Sequence, residues 1–292
     1  MSIVAYIPAG GEAVRLRPHS LVIPKPIMPI GDKRIIDYSL TIALSIQNIE
    51  KVIVSTNQAT HIAAPVEEYI TQYYSDVEII RDKKRFRGAT GLLDCLNFLE
   101  GDGDLFLMCA DLIIEDFSFT SFWNFHREKE SQVTCLVVPP KNHGEYVICE
   151  GGEIKKILSC AETGALSSTG IYLFKKSFLL RYLQKVKKYR SEITISIYRD
   201  IIIPAVLDQS VNTVGYFHRG YWDDIGTIER YFYNNMRKSK GKNVFLEPLL
   251  QENSQLLKLK RCVYLSRELP KKAYYQAIIS GINQEYLTQI QP

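Results

Sequence analysis

The apolar run Ile3–Ile7 leads straight into Gly10-Gly11, and that junction constrains the chain more than any other stretch. A short continuous apolar run bounded by a turn reads as a strand buried on both faces. Two adjacent glycines let the backbone turn tightly and bring N–H groups close to an anion. Arg15 follows, a planar cation matched to phosphate oxygens. Pro24 and Pro26 then stiffen the segment that presents Lys25. Residues 7–30 thus form a candidate polyphosphate grip. The same residues also suit an ordinary turn after a strand, with Arg15 and Lys25 simply solvated. Two known phosphate loops are excluded: no G-x-x-x-x-G-K-[ST] occurs here, and Ala13 interrupts any G-x-G-x-x-G.

The rest of the chain alternates in the same manner. A helical stretch from Arg34 to Ile46 precedes the apolar strand 51–56, a helix over 59–74 and a short strand at 77–80. Residues 88–99 read as a glycine turn leading into an amphipathic helix, and 105–111 as an apolar strand closed by Asp111. Strands alternating with helices over short links predict an α/β fold with a doubly wound, mixed but mainly parallel sheet, Rossmann-like and covered on both faces. Ligands of such sheets collect at the carboxyl ends of the strands, where the opening loop and Asp111 both belong. From Gln132 the texture becomes short strands between Gly and Pro turns, which predicts a small β-rich insertion beside a cleft. A helix is expected over 198–207, and another begins at Ile228, capped by Thr227. We divide the chain into a main domain, 1–237, and a C-terminal extension, 238–292, that opens with a basic linker and ends in a helix.

At 292 residues, with 46% hydrophobic and 23% charged residues, the chain can bury a full core. A net charge of +4 suits an anionic small molecule. It gives no basic stripe interleaved with aromatics of the kind that nucleic acid requires. No apolar run approaches the roughly 20 residues of a membrane span, and the N-terminus lacks a signal-peptide pattern, so a cytoplasmic place is expected. The six cysteines are scattered without a C-x-x-C pair and read as reduced, mostly buried thiols. The five histidines show no metal spacing, and His19, inside the opening loop, reads as loop packing or a phosphate contact.

Two carboxylates stand out, Asp111 at its strand end and Asp224 within Gly220-Tyr221-Trp222-Asp223-Asp224-Ile225-Gly226-Thr227. Either can be a loop acid. If they converge near a triphosphate, they hold Mg²⁺, a hard cation that shares its shell with phosphates.

The opening segment, Gly10-Gly11-Glu12-Ala13-Val14-Arg15-Leu16-Arg17-Pro18 followed by Pro24-Lys25-Pro26, resembles the G-G-x-G-[TS]-R-L-x-P…P-K-P signature of sugar nucleotidyltransferases. It departs at Ala13, where a glycine is usual, and at Val14, where a hydroxyl is usual. Within that superfamily the chain is most similar to ADP-glucose pyrophosphorylases (glucose-1-phosphate adenylyltransferases). The similarity lies in Arg34-Ile35-Ile36-Asp37-Tyr38, Phe86-Arg87-Gly88-Ala89-Thr90, Ser168-Thr169-Gly170-Ile171-Tyr172, Asp200-Ile201-Ile202-Ile203-Pro204 and the Trp222–Thr227 motif.

The resemblance implies nucleotide binding at Ala9, Gly10, Gly11, Glu12, Ala13, Arg15 and Gly88, with Arg15 and Lys25 catalytic and Asp111 and Asp224 on Mg²⁺. It implies a sugar phosphate near Gly170 and Trp222, with Lys156 and Glu162 the nearest charged groups. The family's E-K-P is replaced by Ile157-Leu158-Ser159-Cys160-Ala161. The residues after Met236 are too few for a full left-handed β-helix, and a homo-oligomer is allowed. The expected activity joins an NTP, ATP first, to a sugar 1-phosphate, glucose 1-phosphate first, with release of pyrophosphate. Two alternatives stand beside it: a non-catalytic binding homologue, and an enzyme that uses GTP or a mannose or valienol phosphate.

Overall fold

A computed structural model describes residues 2–82, 90–142, 144–189 and 195–238. Gly88, His143, Cys262, the basic linker from Ser239 onward and the expected terminal helix lie outside the described residues.

The opening run forms β1 (Ile3–Pro8). A 3-10 turn (Val14–Leu16), α1 (His19–Val22) and a second 3-10 turn (Lys25–Ile27) carry the chain to a ribbon of β2 (Pro29–Ile30) and β3 (Lys33–Arg34). In α2 (Ile35–Leu44) the Asp37 carboxylate accepts the Arg34 N–H at 2.7 Å, closing the first turn of the helix. Next come β4 (Ile49–Thr56), α3 (Thr60–Tyr73), β5 (Val77–Arg81), β6 (Asp104–Met108), β7 (Leu112–Ile114) and α4 (Phe119–Glu128). The second half contains β8 (Val133–Val138), β9 (Glu145–Glu150), β10 (Glu153–Leu158), β11 (Leu166–Lys175) and α5 (Lys176–Tyr189). A π-helical turn (Ile197–Ile202), α6 (Ile203–Leu207), β12 (Thr213–Phe217), β13 (Trp222–Asp224) and α7 (Ile228–Lys238) complete it.

Nine strands form one mixed sheet in the order β5-β4-β1-β6-β11-β8-β12-β10-β9. The block β5-β4-β1-β6 is parallel throughout, and so is the β8–β12 pair. Strands β11 and β10 run against their neighbours. The fold is therefore α/β with a mostly parallel central sheet. Alternation along the strands distributes the core between two faces. Val4, Tyr6, Leu105 and Leu107 pack with α5 and α6, whereas Ile3, Ala5, Ile7, Phe106 and Met108 pack with α2, α3 and α4.

Three expectations change. The helix expected over 88–99 is two 3-10 turns, Thr90–Asp94 and Leu96–Leu99. Leu92, Cys95 and Leu99 are buried in the same core cluster as Tyr6 and Ile53, and i→i+3 bonds (Cys95 N–H to Leu92 O at 3.2 Å, Phe98 N–H to Cys95 O at 3.0 Å) set the tighter winding. The β-rich segment is not a separate insertion, because β8, β11 and β12 are central strands of the one sheet. Ile171–Lys175 pairs antiparallel with Asp104–Met108 and so extends the sheet past β6. The helix expected over 198–207 is π-helical in its first half. Thr227 caps α7 as expected, its Oγ1 accepting from Arg230 N–H at 3.4 Å.

Candidate active site

The loop after β1 is held from both sides. Ala9 N–H donates to Ser55 O at 2.8 Å, and Asn57 Nδ2 donates to Gly10 O at 2.5 Å. A Cβ on Gly10 would stand 3.2 Å from Asn57 N, so only glycine fits against the end of β4 without displacing backbone. Ala13 adopts left-handed backbone, φ 49° and ψ 42°. Its carbonyl accepts from Leu16 N–H and from Ser20 Oγ, each at 2.9 Å, and these bonds hold the residue in that geometry. His19 is buried behind the loop, with ring centroids 6.2 Å from Tyr231 and 5.9 Å from Phe232. Burial pushes its pKa down to about 4, so it serves as neutral packing.

Backbone pairing brings the two carboxylates together. Asp111 lies in the turn between β6 and β7, and β13 runs antiparallel to β7 with Asp224 opposite Leu112. Ile225 N–H donates to Asp111 O at 2.8 Å and fastens the two turns. Lys25, mostly buried, is ion-paired with Asp111, and Arg230 is ion-paired with Asp224. A Cβ built on Gly226 would meet Asp224 Oδ2 at 2.6 Å, Arg15 Nη2 at 3.1 Å and Arg230 Nη2 at 3.4 Å, so these three groups crowd around one glycine. Burial lowers the Arg230 pKa and the Arg15 charge adds to that, while Asp223 and Asp111 act against it.

A cleft of about 920 Å³ opens at this end of the sheet. Ala9, Gly10, Gly11, Glu12, Ala13, Arg15, Lys25, Asp111 and Gly170 all line it. Asp224 sits at its rim, two residues before the lining Gly226. The other expected residues lie elsewhere. Trp222 is 4% exposed in the core and donates from Nε1 to Thr169 O at 3.1 Å. Lys156 on β10 and Glu162 in the turn after it are exposed and do not line the cleft; nor do Ser159 and Cys160, also exposed. Gly88 belongs to the residues not described.

The sequence reading omitted Arg230, Asn57, Glu145, Tyr172, Tyr198 and Ser196, although each lines the cleft or borders it. Asn57 was open to the argument used for Asp111, a polar residue closing an apolar strand. Arg230 carried no signal, because its place depends on how α7 docks.

The chemical capacity of the site is clear from its parts. A glycine loop offers backbone donors, three cations are gathered at the strand ends, and one carboxylate lines the cleft with a second beside it. Among the described residues no group of three or more His, Cys, Asp or Glu forms a ready-made cage for a metal. Two carboxylates suit a cation that fills its remaining coordination with phosphate and water.

Comparison with known proteins agrees with this geometry. Residues 4–241 match the sequence pattern of the Nucleotidyl transferase family. The glucose-1-phosphate adenylyltransferase of Clostridium novyi (strain NT) is 28% identical over 264 residues, 82% of this chain and 68% of that protein. A Sulfolobus acidocaldarius protein named as a mannose-1-phosphate guanyltransferase is 26% identical over 239 residues, 80% of this chain and 62% of that protein. A solved Bacillus anthracis structure described as a glucose-1-phosphate thymidylyltransferase superposes with a TM-score of 0.69 at 20% identity, over 81% of this chain and 95% of the other.

Proposed function

Because the chain belongs to the nucleotidyl transferase family, we propose that its cleft joins a nucleoside triphosphate to a sugar 1-phosphate and releases pyrophosphate, with ATP and glucose 1-phosphate as the preferred pair. One observation carries this reading: Arg15, Lys25, Arg230, Asp111 and Asp224 converge beside a glycine loop at the carboxyl ends of the strands.

In this reading the backbone N–H groups around Gly10-Gly11 bind the triphosphate. Arg15 and Lys25 offset the charge that grows on the leaving pyrophosphate. An oxygen of the sugar phosphate attacks the α-phosphorus in line, the bond to the β-phosphate oxygen breaks, and no covalent enzyme intermediate is needed. Asp111 and Asp224 would hold Mg²⁺, which supplies charge neutralisation at the triphosphate when bound. Until polyanion and cation arrive, Lys25 and Arg230 neutralise these same carboxylates and keep the site folded in its working shape. Catalysis is then positioning and electrostatics, carried out where nucleoside triphosphates are made, in the cytoplasm.

The test is pyrophosphate release with Mg²⁺ across four NTPs and a panel of sugar and cyclitol 1-phosphates. One productive pair names both donor and acceptor, and the double variant Asp111→Ala, Asp224→Ala then loses turnover while its circular dichroism is unchanged. Turnover retained in that variant rejects the assignment. A second reading, nucleotide binding without turnover, draws support from the left-handed alanine and from the position of Lys156 and Glu162 outside the cleft. It predicts calorimetric binding of NTP with no pyrophosphate from any pair.

A further inference from the structure

The loop, Lys25 and Asp111 occupy one end of the cleft; β9, β11 and the π-helical turn wall the other. On that second wall the protein's own hydroxyls are already engaged. Tyr172 Oη lies 3.1 Å from Ser168 Oγ, Tyr198 Oη donates to Tyr146 O at 3.0 Å, and Ser196 Oγ accepts from Arg199 N–H at 3.3 Å. Glu145 differs. It is the first residue of β9, paired in register with Ser168, and it lines the cleft with its side chain accessible. Among the described residues its carboxylate makes no hydrogen bond and no ion pair. The Cys109 thiol, also in the cleft wall between the two ends, is within electrostatic reach of Asp111, Lys25 and Glu145 alike.

A carboxylate without a partner in a cleft wall asks its ligand for donors and repels an anion. We propose that Glu145 is a specificity-determining residue, whose carboxylate accepts hydrogen bonds from the ring hydroxyls of the phosphorylated acceptor and excludes acceptors that carry a second acidic group on the ring. The inference rests on the nucleotidyl-transfer reading above and narrows its acceptor to neutral polyol monophosphates.

The cleft walls around the carboxylate raise the Glu145 pKa above the ordinary carboxylate range, a shift that its exposure to solvent moderates. The groups around it are Cys109, Cys135 on β8, Tyr172 on β11 and Tyr198 on the π-helical turn. Burial raises all four, so they stay neutral through this range. The accepting, ionised form of Glu145 therefore grows as pH rises out of the carboxylate range, and acceptor affinity grows with it.

Glutamate-to-glutamine and glutamate-to-alanine variants at this position test the proposal. Calorimetry measures binding of glucose 1-phosphate and glucuronic acid 1-phosphate at pH 6 and pH 8, in the presence of a nucleotide, and pyrophosphate assays measure KM and kcat separately. Glu145→Ala should weaken glucose 1-phosphate about ten- to a hundredfold, the range for hydrogen bonds to a charged group, with most of the loss in KM. Glu145→Gln should accept glucuronic acid 1-phosphate at least as well as wild type does. It should also lose any pH dependence of affinity beyond the part due to the phosphate's own ionisation near pH 6. Equal binding of glucose 1-phosphate by all three proteins overturns the proposal, as does absence of sugar-phosphate binding altogether. Absence of pyrophosphate release with sugar-phosphate binding intact rejects the transferase reading alone.

Discussion

Ala13 pays in strain for a place where glycine is usual in the resembling signature. An L-residue with a side chain loses about 1–2 kcal/mol in left-handed backbone, and its position at φ 49° keeps its methyl in the loop that lines the cleft. Ala13→Gly relieves that strain but adds chain entropy to the unfolded state. A net gain of roughly 0.5–1 kcal/mol is expected, read as a melting temperature up to a few degrees higher, together with tighter NTP binding by calorimetry. A lower melting temperature would mean that the methyl packs usefully. Arg230 lends itself to a second test. Its removal strips a cation from the site and leaves Asp224 without that partner, so Arg230→Ala should reduce pyrophosphate release at least tenfold, with Arg230→Lys recovering part of the loss. At this scale the opening loop and both carboxylates were legible as candidates, because glycines after a strand and an acid at a strand end mark positions where the backbone turns, although either pattern alone also suits an ordinary loop. Lys156 and Glu162 were not: a charged residue beside a strand reads the same whether it faces a cleft or water.

The helix α7 is the element that completes the site. It lies next to β2 and reaches the β7–β13 ribbon, with Tyr231 Oη donating to Pro29 O at 2.8 Å and Asn234 Nδ2 to Asp223 Oδ2 at 2.7 Å. At its far end Glu115 is ion-paired with both Arg237 and Lys238, and the Arg237 guanidinium stacks 3.5 Å from the centre of the Tyr221 ring. Hydrogen bonding from Arg237, reinforced by Lys238, holds the Glu115 pKa down to about 2. A depressed carboxylate stabilises the fold above its unfolded pKa and loses that contribution as pH falls. Glu115→Gln should therefore lower the melting temperature by about 2–4 °C at pH 7, and the gap to wild type should narrow as pH falls from about 4.5 toward 2. A gap independent of pH would remove the ion pair as its cause. The helix itself was readable from IERYFYNNM and its Thr227 cap. That it carries Arg230 to Asp224 was not, because helical periodicity says which face is apolar and nothing about what that face meets.

Across the whole molecule, the cleft lies at one end of the strands and a buried polar cluster lies at the other. Asp104, fully buried at the start of β6, accepts from Trp123 Nε1 at 2.8 Å, with Lys175 Nζ at 3.1 Å and His126 Nε2 at 3.5 Å. Burial alone would raise its pKa, but the nearby His126 ring, the hydrogen bond from Trp123 and the charge of Lys175 bring it down to about 2. Its contribution is present above the unfolded value near 4 and lost as pH falls through about 2. Asp104→Asn leaves its partners facing a neutral amide and should cost about 3–5 kcal/mol in denaturant unfolding at pH 7. Acceptor KM should not change, since the cluster is a strand's length from the cleft; a shifted KM would mean that the sheet couples its two ends. The sequence alone determined most of the alternating elements, the glycine turn after the first strand and the family, since each rests on local chemistry or on a long ordered pattern. Tertiary structure decided which strands join one sheet, that residues 90–99 tighten into 3-10 turns, that Trp222 is core, that Arg230 reaches Asp224 and that Glu145 lines the cleft. Those depend on packing and on pairing between distant segments, and no local run of residues encodes what will lie across from it.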